Sequence, residues 1–293
     1  MTAFKQPNKP NPLMNFMRQP KIYIKLPSNG AYWPAGSVVI PENNELAVYS
    51  MTANDELLFK TPDALFNGQS IVDVIQSCVP SIKDAWKTPN IDLDAILIAI
   101  RIATYGEQMD ITHTVPNTTE EVTHAIDLRT LLDQLYNNAK WEETVKINND
   151  LTCFVAPLTY KHTTLASMKT FETQRLIQAV NNEGITDEQK LEIFNKSFKA
   201  MSEVTLTIVV DSITAIQTPE TVVEDKEFIR EFLKNVDTSL YKKIEDHIKH
   251  MKAVLGLKPF DIESTPEQIA LGAPAKYQLP IQLDTADFFG RGS

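Results

Sequence analysis

The chain has 293 residues, 43% hydrophobic and 23% charged, the composition of a soluble globular protein long enough for two domains or one elaborated one. Its net charge of −10 and pI near 5.1, with no block of like charge, exclude the clustered Lys and Arg that phosphate binding needs. Only Cys78 and Cys153 are present, far apart in apolar surroundings, and they read as buried thiols of a chain made in reducing cytosol.

In chain order, residues 1–20 lack the apolar core of a signal peptide. Their Pro and Asn content, with Phe4, Leu13, Met14, Phe16 and Met17 interspersed, describes an extended arm that packs on a partner chain. Residues 21–26 (KIYIKL) alternate as a strand and are followed by a turn at 27–30. Further extended pieces are expected at 37–40 and 46–49. A helix follows from Thr52 through Leu57, Leu58 and Phe59, and another at 70–78 places Ile71, Val74, Ile75 and Cys78 on one face.

Residues 91–106 (IDLDAILIAIRIATYG) are the stretch around which the rest is organised. The run is aliphatic on nearly every side, with Arg101 as its one central charge, so it predicts a helix buried on most faces. Asn90 or Asp92 is expected to cap it and Gly106 to end it. It is shorter than the roughly 20 apolar residues of a membrane span.

Residues 111–115 and 122–126 predict a hairpin, and Asp127 a cap for a helix through Leu128, Leu131, Leu132 and Leu135. A second hairpin is expected from 145–147 and 151–155 around Asn148-Asn149-Asp150. The remainder reads as helical: 163–181, then a helix opened by the Thr186/Gln189 capping box. Residues 204–216 are assigned to helix on apolar spacing, against a β-branched content that argues for strand. A short helix at 227–235 and one capped by Asp237, with a stripe of Leu240, Ile244, Ile248, Met251 and Leu255, lead to Gly256. After Pro259 the chain turns extended, with an alternating run at 277–283 and a DFFG ending at 287–290. The expected fold class is α+β, mostly helical, with small hairpins or sheets near the N-terminus, the middle and the C-terminus. Its expected division is an arm at 1–20, a hairpin-plus-helical domain at 21–157 and a helical domain with an extended tail at 158–293.

Catalytic motifs are missing. No phosphate-binding glycine loop, GxSxG or HExxH occurs. His247 and His250, with Asp246, have the helical spacing of a metal pair but lack a third ligand, so they read as a solvated helix face. Asp92/Asp94 and Glu142/Glu143 read as caps and exposed acids. Trp33, Trp86 and Trp141 read as core or interface anchors. No catalytic, cofactor-binding or metal residues are assigned.

Three segments carry a resemblance: KLPSNGAYWPAGSVVI at 25–40 with SMTANDELLF at 50–59, LIAIRIATYGEQMDIT at 97–112, and DFFG at 287–290. Together they resemble the baseplate-hub family of T-even-type contractile-tailed bacteriophages. The resemblance implies a structural protein of the tail baseplate, no enzyme, made in the host cytoplasm and acting through contacts with other baseplate or tail proteins. Nucleic acid, membrane and small-molecule partners are not implied, and self-association is left open. A transient assembly chaperone absent from the mature virion is the alternative. Many relatives carry CPxC knuckles where this chain reads Val115-Pro116-Asn117-Thr118 and Thr265-Pro266-Glu267-Gln268, so zinc is not expected. In its place residues 111–115, 122–126 and 277–283 are expected to share one sheet that returns Phe288 and Phe289 to the body. His113 and His124 read as exposed strand positions.

Overall fold

In the computed structural model, which describes residues 13, 17–58, 68–137, 140–179, 186–281, 283, 288 and 289, the alternating KIYI run lies in β1 (Pro20–Ile24). It pairs antiparallel with β2 (Leu46–Tyr49). The turn after β1 holds Asn29 and Gly30 at φ 51° and 82°. At that positive φ any L side chain would be strained, and a Cβ at Gly30 would also push aside the Cδ1 end of Ile40. The extended piece expected at 37–40 shrinks to one bridge between Val38 and Ile82, because its partner is a turn and not a strand.

Helices α1 (Ala53–Leu58) and α2 (Gln69–Cys78) follow. Thr52 and Asp55 open α1 reciprocally: Asp55 Oδ2 accepts from Thr52 N at 2.7 Å and Thr52 Oγ1 from Asp55 N at 3.2 Å. Phe59 lies outside the described residues.

The organising helix is α3 (Asn90–Tyr105), with Ile96, Ile98, Ala99 and Ile100 at zero exposure. Its start corrects the sequence reading, since neither Asn90 nor Asp92 caps it. Pro89 occupies the cap position with no side-chain bond. The Asp92 carboxylate turns to the 28–33 turn, accepting from Ser28 N (2.8 Å), Ser28 Oγ (2.5 Å) and Trp33 Nε1 (2.7 Å). Three donors satisfy a buried carboxylate better than one orphan N–H. Gly106, at φ 99°, ends the helix and donates its N–H to Ile102 O.

Next come the hairpin β3 (Gln108–Thr114) and β4 (Glu121–Asp127) and helix α4 (Leu128–Asn137), where Asp127 Oδ1 accepts from Arg129 N at 2.9 Å. Strands β1 and β2 and helices α2, α3 and α4 build the first core, and Leu283, Phe288 and Phe289 close it from the far end of the chain.

A second core forms on the sheet β5-β6-β7-β8: β5 (Thr144–Lys146), β6 (Thr152–Val155), β7 (Ile213–Gln217) and β8 (Val222–Val223), all antiparallel. Between β6 and β7 runs a helical pair, α5 (Tyr160–Ala179) and α6 (Asp187–Ser212). The segment at 204–216 is therefore helix only to Ser212. From Ile213 its β-branched residues pair with β6, where Cys153 and Phe154 offer a free edge. Helices α7 (Lys226–Asn235) and α8 (Thr238–Leu255) cover this core with Ile229, Leu233, Ile244 and Ile248. The two cores cross the 157/158 line: β5 and β6 belong to the second, the C-terminal residues to the first.

The last segment also departs from expectation. β9 (Phe260–Glu263) pairs with β10 (Lys276–Leu279) as a sheet of its own, separate from β3–β4. Between them α9 (Pro266–Ala270) is a helix and not extended chain, because Thr265 and Gln268 form a full capping box with Pro266 at the first helical position. Side chains join the two sheets instead of a shared ladder. His113 Nε2 lies 2.8 Å from Tyr277 Oη, and Gln268 Nε2 donates to Glu120 Oε1 at 3.0 Å. Helices with several small antiparallel sheets make this an α+β fold. Among the described residues no helix is long and apolar enough to cross a membrane.

Candidate interaction surface

An unusual distribution of apolar residues singles out the α5–α6 hairpin. A helical pair ordinarily buries its large apolar side chains between its helices. Here Thr173 and Ser197 are the buried residues of α5 and of the first six turns of α6. Among the described residues Ser197 Oγ has no hydrogen-bond partner, while Thr170 and Thr173 bond the carbonyls of Ala166 and Lys169 within their own helix. The large residues lie outside: Leu165, Phe171 and Leu176 on α5, and Leu191, Phe194 and Phe198 on α6, the last 76% exposed. A groove of about 270 Å³ between the helices is lined by Leu165, Ala166, Ala200, Val204 and Ile208.

The root of the hairpin is firmly held. Asn90 N donates to Leu158 O and Tyr160 N to Thr88 O, both at 2.8 Å, and Pro89 bridges Thr159. Trp86 stacks on Tyr160 with ring centroids 5.6 Å apart. At the other end Lys226 Nζ donates to Val210 O, Asp211 O and Ile213 O, placing a cation on the C-terminus of α6. Burial lowers the pKa of that lysine, offset by the charge of Asp211. Lys234 pairs with Glu203 at 3.4 Å, tying α7 alongside.

The residues singled out by sequence fall elsewhere. Trp33 donates to Asp92, and Trp141 Nε1 donates to Val155 O at 2.9 Å, so both indoles anchor packing. His247 lies 2.8 Å from the Glu142 carbonyl, linking α8 to the strand region, and His250 is exposed. Among the described residues no group of three His, Cys, Asp or Glu is arranged to hold a metal ion. Cys78 and Cys153 are buried and free, and burial pushes each thiol up to about 12. His113 and His124 are not simple exposed positions: their rings stack at 5.2 Å between β3 and β4.

Arg18 is the site residue that sequence reading missed. It donates to Ser50 O (2.6 Å), Ser77 O (2.7 Å) and Ser77 Oγ (2.8 Å), and lies 3.4 Å from the Asp55 carboxylate. The arm is thus fixed to the body at its C-terminal end, while Leu13 and Met17, at 62% and 53% exposure, stay outside. Only its place as the one arginine of the arm, among apolar and Pro residues, could have signalled that role.

A family model described as T4 bacteriophage base plate protein matches residues 19–259. The chain belongs to that family. The match takes in the second core, the first core apart from Leu283, Phe288 and Phe289, and the whole α5–α6 hairpin, and ends just before β9. No curated protein and no solved structure matches the chain. This base plate protein accordingly has a structural role in a T4-type phage tail baseplate, and a subunit in such a plate must offer surface to its neighbours.

Proposed function

We propose that this base plate protein works in the hub region of a contractile tail, as a non-catalytic subunit that joins other baseplate proteins during tail assembly in the host cytoplasm. The observation that carries the reading is the α5–α6 hairpin, whose large apolar side chains face outward while its seam holds Thr173 and Ser197. Large apolar side chains exposed along both helices of one hairpin support a protein contact site there. The LPSNG and TYG segments behind the resemblance to hub proteins support the same reading from sequence. Both build the first core and carry no reactive group.

The test is incorporation. A chain with Phe198→Glu and Leu191→Glu, both on exposed positions, should keep its fold by circular dichroism and fail to enter assembled baseplates. Mass spectra of purified particles should contain the parent chain at stoichiometric level. Its absence from mature particles would overturn the structural-subunit reading in favour of a transient assembly factor.

A further inference from the structure

The outer face of α6 has a repeat of its own. Leu191, Phe194, Phe198, Met201, Thr205 and Ile208 follow each other at alternating steps of three and four, which is the seam of a coiled coil. As far as Met201 this seam is distinct from the one α6 shares with α5, which holds Ser197 and Ala200; Ile208 also lines the α5–α6 groove. Its first half is exposed, with Leu191 at 64%, Phe194 at 53% and Phe198 at 76%; its second half enters the core near Val209.

Resting on the reading of the hairpin as a contact surface, we infer that the occupant of this seam is α6 of a second copy of the chain, in antiparallel orientation. A two-fold axis near Lys196 sets Leu191 against Met201 of the second copy and Phe194 against Phe198 of the second copy. The stripe is thus self-complementary, as an isologous interface requires. On the open side it is flanked by Asn195 and Ser202, which are uncharged, so two copies bring no like charges together there. Two of the neighbouring charges are engaged within the chain: Lys196 with Glu192 at 2.7 Å, and Glu203 with Lys234 at 3.4 Å.

The size of the contact bounds its strength. A fully buried aromatic contributes roughly 150–250 Å², so Phe194 and Phe198 at their exposures offer about 250 Å² per copy. Leu191 adds to this. The interface stays in the small, reversible class below about 1,200 Å². Association is expected in the micromolar range, where the −10 charge also makes it strengthen with salt.

Sedimentation equilibrium of the full chain over micromolar concentrations tests this. The parent should show a monomer–dimer equilibrium, and Phe194→Glu/Phe198→Glu should raise the dissociation constant on the order of a hundredfold. Phe194→Lys/Phe198→Glu should recover part of that loss, because the antiparallel register replaces like-charge repulsion by a lysine set against a glutamate of the second copy. A parallel seam would oppose like charges and gain nothing. A monomeric parent, a dimer indifferent to the glutamates, or no recovery by the Lys/Glu variant each overturns the inference. The two readings separate cleanly. A monomeric parent whose glutamate variants fail to incorporate overturns self-pairing alone, whereas a glutamate-sensitive dimer whose variants incorporate normally overturns the proposed function alone.

Discussion

Arg101 on α3 donates through Nη1 to the carbonyl of Phe288, 187 positions further along the chain. The guanidinium is almost wholly buried and lies 5.3 Å from the ring centroids of both Tyr105 and Phe288. Tyr105 Oη in turn donates to Phe289 O at 2.9 Å. One turn of the organising helix therefore receives the C-terminal aromatic pair.

Arg101→Met should cost about 1–3 kcal/mol, the loss of a charge-assisted bond partly offset by removing a buried charge. Urea unfolding measures it, and a cost above about 5 kcal/mol would contradict this account. Ile98→Asp, at zero exposure, introduces a buried charge whose uncompensated cost rivals the whole stability of a domain. That variant should be unfolded by circular dichroism, and parent-like melting would show that the helix is not buried.

Asp92 should give the protein an inverted pH response. Burial raises its pKa above the ordinary 3.8, against the lowering effect of its bonds from Ser28 and Trp33. The folded state then holds the proton more tightly than the unfolded chain. This group's contribution is greatest at low pH and falls as pH rises from about 3.8 toward the folded value. Asp92→Asn removes that slope. The stability difference between variant and parent should move in the variant's favour from pH 4 upward, and a difference flat with pH would count against the assignment.

His113 acts with the opposite sign. Burial first, then the adjacent His124 ring, hold its pKa below the ordinary 6.5. The neutral form is favoured in the folded state, so stability is full above about 6.5 and declines as pH falls toward the folded value. The loss should concentrate where His113 meets Tyr277, between β3 and β10. His113→Phe should flatten the decline between about pH 7.5 and 5.5 in denaturant titrations, and an unchanged slope would place its origin elsewhere.

Arg18→Ala should destabilise by about 1–3 kcal/mol, since it leaves Ser50 and Ser77 carbonyls without a charged donor. Removing residues 1–16 should leave the melting temperature near that of the parent while weakening incorporation into baseplates. Equal melting temperatures for Arg18→Ala and parent would show that the anchor carries no weight.

What could be read from sequence follows the physics of each signal. The α3 stretch was legible because eleven of its sixteen residues are buried, so its apolar content had no other explanation. The β3–β4 and β5–β6 hairpins were legible from alternation around Asn and Pro turns. The end of α6 was not, because Val209, Val210 and Ile213 are equally apolar and branched; only the free edge of β6 decides where helix gives way to strand. Asp92 had the position of a cap, and the competing donors sit 59 and 64 residues away. The α9 capping box is written in Thr265, Pro266 and Gln268, but a box opening a helix of only five residues has no run of helical apolar spacing behind it. The outward face of the α5–α6 hairpin was hidden for a different reason. Helical spacing shows that Phe194 and Phe198 share a face, but not which face the neighbouring helix takes.

A hairpin seamed by threonine, serine and alanine buries little between its own helices, so its distal turns gain little stability from each other. Ordering them is then drawn from the free energy of docking, which lowers the affinity of any single encounter. Such an element samples neighbours reversibly and is retained only when several contacts close together. In a growing plate this lets a misplaced subunit leave, while a correctly seated one is locked in by its surroundings.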